Sequence, residues 1–148
     1  MRSVISCALL VAFLASCGNS AAPATVDVNG NWLLTVTSLR GNSGSEQTDC
    51  SSSASTALTL VQSGSDLSGQ YVGGQLNCPR ASGDTTKIHI TTGQIQNGVV
   101  SGNQVSFNLS GVNLIFSGSA ATDTMAGTIG GHVEDLNLNG SWSAHITQ

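Results

Sequence analysis

The stretch Leu136 to Ile146 constrains the fold more than any other. Its even positions read Leu136, Leu138, Gly140, Trp142, Ala144 and Ile146, and its odd positions read Asn137, Asn139, Ser141, Ser143 and His145. Strict alternation of apolar and polar residues over such a length fits a β-strand with one face buried and one face in water. Gly140-Ser141-Trp142 inside it echoes Gly30-Asn31-Trp32 much earlier in the chain. The two segments are expected to close and open one antiparallel sheet, with the remaining strands wound between them.

The same period marks the intervening strands. Trp32, Leu34 and Val36 share one face of the first, and Ala57 to Gln62 and Leu67 to Val72 follow around the turn Ser63-Gly64-Ser65-Asp66. Lys87 to Gln96 reads as a fourth strand, with Ile88 and Ile90 on one face. Asn97-Gly98 and Gly102-Asn103 are turn signals so close together that Val99 to Ser101 fits either a short strand or a bulged continuation. Val105, Phe107 and Leu109 point inward on the next strand, then Val112, Leu114 and Phe116, then Met125 to Ile129. Gly41 to Ser55 and Gly73 to Thr85 read as long polar loops. The count is eight or nine strands, with no helical period beyond the N-terminal segment. The expected fold is all-β, an antiparallel up-and-down meander closed into a barrel, with a two-sheet β-sandwich as the alternative.

The N-terminus carries an address. Arg2 precedes an apolar run, Val4 to Phe13, too short for a membrane-spanning helix. The run ends in Leu14-Ala15-Ser16-Cys17, which resembles the lipobox of bacterial lipoproteins. The resemblance implies that residues 1–16 are removed as a signal peptide and that Cys17 is lipidated and becomes the anchor. Gly18, rather than aspartate, follows Cys17, which by that family's sorting rule favours an outer membrane over an inner one where two exist. Residues 17–29 are then a tether rich in small residues, about 20 Å in reach as a flexible coil, and residues 30–148 the barrel domain.

The opening Gly-x-Trp and the strand spacing are similar to those of calycin-type barrels, the lipocalins and avidins. Ser68-Gly69-Gln70-Tyr71-Val72-Gly73-Gly74 also resembles a stretch of bacterial avidins. The avidin biotin pocket needs several tryptophans, and this chain has only Trp32 and Trp142. The resemblance therefore implies architecture and carries no binding residues over.

Without the signal, three cations face eight carboxylates, a net charge of −5. That balance argues against nucleic acid as a partner. Cys7 falls in the signal and Cys17 is the lipidation site, which leaves Cys50 and Cys78 to form a disulfide in an oxidising compartment. A meander puts the two long loops at one end of the barrel, remote from the tether, so the bond is expected to pin them together there as a cap. Tyr71, Arg40 and Arg80 are the candidate ligand contacts near that end. His132, Glu134 and Asp135 form the one local group of metal-ligand types.

No GxSxG, HExxH, GxGxxG or P-loop pattern is present, and no carboxylate pair is visible, so the sequence points to no catalytic reaction and implies no cofactor. Two readings of function remain. One is a cell-envelope lipoprotein with an interaction or structural role, its partners being the membrane at Cys17 and another envelope protein. The other is a binding module for a small apolar or mixed ligand in the barrel or its capping loops.

Overall fold

The computed structural model describes residues 25–147. The expected signal segment 1–16 and the lipidation site Cys17 lie outside the described residues.

The described residues form eleven strands: β1 (Gly30–Ser43), β2 (Glu46–Ala54), β3 (Thr56–Ser63), β4 (Asp66–Val72), β5 (Gln75–Pro79), β6 (Thr85–His89), β7 (Thr92–Ser101), β8 (Gln104–Leu109), β9 (Leu114–Ala120), β10 (Thr124–Val133) and β11 (Leu136–Thr147). Eight of them, β1, β3, β4, β7, β8, β9, β10 and β11, form a ring in chain order. The pairing of β11 with β1 closes it, Trp32 opposite Ile146 and Val36 opposite Trp142. This is an antiparallel up-and-down barrel. The other three strands stand outside the ring, in the order β2, β5, β6, attached to the far half of β1.

The alternation in β11 decides its faces. Leu136, Leu138, Trp142 and Ala144 are buried, and Asn137, Asn139 and His145 are exposed. Ile146 keeps the inward parity but reaches the rim, where it is 37% exposed. Inside, the Phe107 and Phe116 rings stack with centroids 5.2 Å apart, and Trp142 stands edge-on to both at 5.8 Å. Trp32, Leu34, Leu58, Leu60, Leu109, Leu114 and Met125 fill the remaining interior, each at 2% exposure or less. Both indoles have acceptors, Trp32 Nε1 at the Val28 carbonyl (3.0 Å) and Trp142 Nε1 at that of Thr128 (2.9 Å). Buried aromatic N–H groups are thus satisfied and the interior is a packed core.

Residues 25–29, expected as the end of the tether, lie against the barrel. Val28 is fully buried and its N–H donates to Gln62 Oε1 (3.0 Å). The Val26 N–H donates to the Gly102 carbonyl (2.8 Å) in the β7–β8 turn. This segment plugs the end where β1 begins. Tight closure of the ring on its other side needs glycine. Gly118 and Gly127 face one another across β9 and β10. A Cβ on Gly127 would sit 2.0 Å from the Ser117 carbonyl oxygen, and one on Gly118 2.1 Å from that of Ala126. Only bare backbone fits where these two strands approach so closely.

Strands run into both expected long loops. β1 runs on to Ser43 and β2 returns beside it, so most of Gly41–Ser55 is a hairpin arm. In Gly73–Thr85, β5 takes Gln75–Pro79, and the rest up to Thr85 stays loop. The expected fourth strand is divided at Ile90-Thr91 into β6 and β7. Val99 to Ser101 is the bulged continuation of β7, with a register shift after Gln96 and Asn97 at φ 50°.

Candidate functional site

The strands β2, β5 and β6 form a lid over the end of the barrel opposite Val28. Their inward side chains, Cys50, Leu76, Cys78 and Ile88, together with Ile90, belong to the same buried cluster as the barrel core. Burying these apolar groups against the mouth holds the lid down. Gly73 and Gly74, both at positive φ, let the chain leave β4 for the lid. On its return, Ile90 N–H donates to the Gly74 carbonyl (3.0 Å) and Gly73 N–H to that of Thr91 (2.6 Å).

Cys50 and Cys78 are bonded, with Cα atoms 4.2 Å apart. The bond was expected between two loops. It lies instead within the lid sheet, because the register Ser51 opposite Asn77 continues to Cys50 opposite Cys78. Cys50 also pairs with Leu39, nearer the Ser43 end of β1 than the Gly30 end, so the bond is on the half of the barrel away from Val28. Cys78 is fully buried.

The free tip of the lid is strapped to the barrel. Arg80, just after β5, makes two contacts with Asp135 in the β10–β11 turn: Nη1 donates to Oδ2 at 3.2 Å and Nη2 donates to Oδ1. Ser43 Oγ donates to the same carboxylate (2.7 Å), and Arg80 Nε donates to Thr86 Oγ1 (2.9 Å). Glu46 accepts the Ala81 N–H (2.6 Å). The tips of three hairpins therefore meet at one carboxylate. The Arg80 and Ser43 hydrogen bonds hold the Asp135 carboxyl at about 2, below its ordinary 3.8, and the Asp135 contact raises Arg80.

A carboxyl depressed in the folded state contributes stability that is complete above its ordinary value and disappears as pH falls toward the depressed one. The strap is therefore expected to be whole above pH 3.8 and to release as pH falls toward about 2. Protection of the amides around Ala81 from hydrogen exchange, measured against their intrinsic exchange rate at each pH, should fall over that window in the native protein. In Asp135→Asn it should already be low at pH 5. Equal protection in the two proteins at pH 5 would show that Asp135 does not hold the lid.

The candidate ligand contacts do not converge. Tyr71 is 3% exposed on the inner face of β4, where its hydroxyl donates to the Ser110 carbonyl. Arg80 is in the strap. Arg40 stands on the outer face of β1, in an exposed ion pair with Asp49 at 3.2 Å. A pair so exposed contributes little. The metal candidates are also divided. The Asp135 carboxylate is directed at Arg80 and Ser43, and His132 Nδ1 lies 3.0 Å from Asn137 Oδ1. Among the described residues no three His, Cys, Asp or Glu side chains are placed to hold a metal ion.

Two shallow hollows on the outer face went unread in the sequence. One, about 370 Å³, is bounded by Ser38, Arg40, Asp49 and Asn139, and the other, about 450 Å³, by Ile115, Ser117, Thr128 and Asn139. They meet at Asn139-Gly140. Glycines inside strands, Gly130 and Gly140, were the available signal, since each leaves a gap in the row of side chains.

Fold and site together describe a small, filled antiparallel barrel with a disulfide-bonded, strapped lid. No family model, no curated protein and no solved structure matches the chain.

Proposed function

We propose that this chain is a lipoprotein of the cell envelope, anchored through Cys17, whose barrel is a rigid platform for contact with another envelope component. The filled interior carries this reading. Trp32, Trp142, Phe107 and Phe116 occupy the space that a ligand barrel leaves open, Val28 stops one end, and the lid stops the other. What remains for recognition is the outside. The Cys50–Cys78 bond fits an oxidising compartment. Leu14-Ala15-Ser16-Cys17 supplies the anchor, and Gly18 favours the outer membrane where there are two. Because β1 starts at the plugged end, the lid points away from the bilayer.

Native mass spectrometry of the full mature protein tests the platform reading. The expected mass is the acylated chain with one disulfide and nothing more. A stoichiometric apolar compound released by organic extraction, beyond the anchor lipid, would overturn the filled platform and favour a small-ligand barrel. Acyl-chain labelling tests the anchor: it should be lost in Cys17→Ala, and the variant should leave the membrane fraction. A Cys17→Ala protein still wholly in membranes would refute anchoring at Cys17.

A further inference from the structure

We propose that the free edge of β6 is a docking site for an extended peptide segment of a partner protein, one that places an acidic residue opposite Lys87. The proposal rests on the platform reading and names the place of contact. Among the described residues every other strand has laddered neighbours on both sides, whereas β6 stands at the end of the strand order with β5 alone.

The register shows which groups are free. Ile90 N–H bonds to the Gly74 carbonyl, and Arg80 N–H bonds to that of Asp84. In an antiparallel ladder, bonded and non-bonded pairs alternate, so Leu76 with Ile88 and Cys78 with Thr86 are the bonded pairs in between. The N–H and C=O groups of Thr85, Lys87 and His89 consequently point away from β5, and all three residues are exposed. Such a row is a template for an added strand, main-chain bonds giving affinity and side chains giving choice. The buried inner face of β6, through Ile88, and the disulfide in the lid keep that template in one conformation.

Charge selects the occupant. Arg40 pairs with Asp49 and Arg80 with Asp135. Lys87 is the cation without an ion pair among the described residues, and it sits at the centre of the edge. A second copy pairing β6 with β6 in full register would put Lys87 opposite Lys87, and like charges directly opposite destabilise a ladder. A carboxylate there is favoured instead. Asp84 beside Thr85 disfavours a further acid at that end, so the complementary segment is acidic opposite Lys87 and uncharged opposite Thr85.

Fluorescence anisotropy with labelled heptapeptides on the full mature protein tests this. The probe is Thr-Val-Thr-Glu-Thr-Val-Thr, with one counterpart carrying lysine for glutamate and another N-methylated at alternate residues. The glutamate peptide is expected to bind with a Kd near 1 mM or tighter, about tenfold better than the lysine peptide. N-methylation should abolish binding, and Lys87→Glu should reverse the charge preference. Absence of binding, equal binding of both charges, or binding that survives N-methylation would overturn the proposal. So would dimerisation of the native protein that Lys87→Glu changes, because β6 would then be occupied by a second copy. The outcomes separate from those of the platform reading: an apolar compound in the barrel sinks the platform, whereas a single protein mass with no peptide bound sinks the edge alone.

Discussion

Trp142→Ala is expected to lower the unfolding free energy by about 3–5 kcal/mol. The indole is 1% exposed and meets two phenylalanine rings edge-on. Such aromatic pairs contribute about 0.5–1.5 kcal/mol each beyond the area they bury. The substitution also leaves the Thr128 carbonyl without the indole N–H. Phe107 and Phe116 lean on Trp142 from one side and are held on the others by the closed ring, so the gap has little means of collapsing. Trp142→Phe separates the contributions. It keeps most of the aromatic contact and loses the hydrogen bond, and is expected to cost about 1–3 kcal/mol. Urea unfolding followed by circular dichroism measures both. A Trp142→Ala cost below about 1 kcal/mol would mean that the aromatic cluster is not what closes the core.

That core was legible because a period of two cannot hide in strands that bury one face. Val105, Phe107 and Leu109 on β8 and Leu136, Leu138 and Trp142 on β11 all lie where alternation puts them. Closure of the ring followed from the number of strands and the short turns. The lid was not legible, for two different physical reasons. β2 is almost wholly polar, Glu46 to Ala54, with Cys50 its single buried residue. It is a strand because β1 and β5 offer it partners, and pairing over distance leaves no local pattern. β5 does alternate, Leu76 and Cys78 inward and Gln75 and Asn77 less buried, but over five residues ending in proline the pattern was too short to outweigh a loop reading.

The site was less legible still. Arg80 and Asp135 are 55 residues apart, and both stand in turns, where charged residues ordinarily serve solubility. Asp135 was grouped with His132 and Glu134 because they are neighbours in sequence, yet the hairpin turn sends its carboxylate across the mouth to the lid. In the sequence Tyr71 reads as a ligand contact because it lies near the end that the two loops are expected to cap. The strand parity that buries Leu67 buries Tyr71 as well. For Arg80 and Asp135 the missing information was which strand ends meet, and the register of β1 with β2 and β11 decides that.

Replacing both Cys50 and Cys78 by alanine is expected to lower the unfolding free energy by roughly 3–4 kcal/mol in the chain-entropy account of a closed loop. The two residues are separated by 28 in sequence, and the freed unfolded chain gains the conformations that the bond had denied it. Alanine is the appropriate replacement, since serine would bury hydroxyls at a fully covered position such as Cys78. The global loss has a local counterpart. The bond joins β2 to β5, both outside the ring, so β8, β9 and β10 keep their ladders and their aromatic core without it. Amides of β2, β5 and β6 should therefore exchange faster by a larger factor than those of β8 to β10 under conditions where the barrel stays folded. If the lid amides stay as protected as the barrel amides, its burial on the mouth and the Arg80–Asp135 strap suffice to hold it, and the bond acts on the unfolded chain alone. If the unfolding free energy changes by less than about 1 kcal/mol while the lid opens, the lid is a separate unit whose folding the ring does not require. The expected result lies between these: a lid loosened first, on a barrel measurably closer to unfolding.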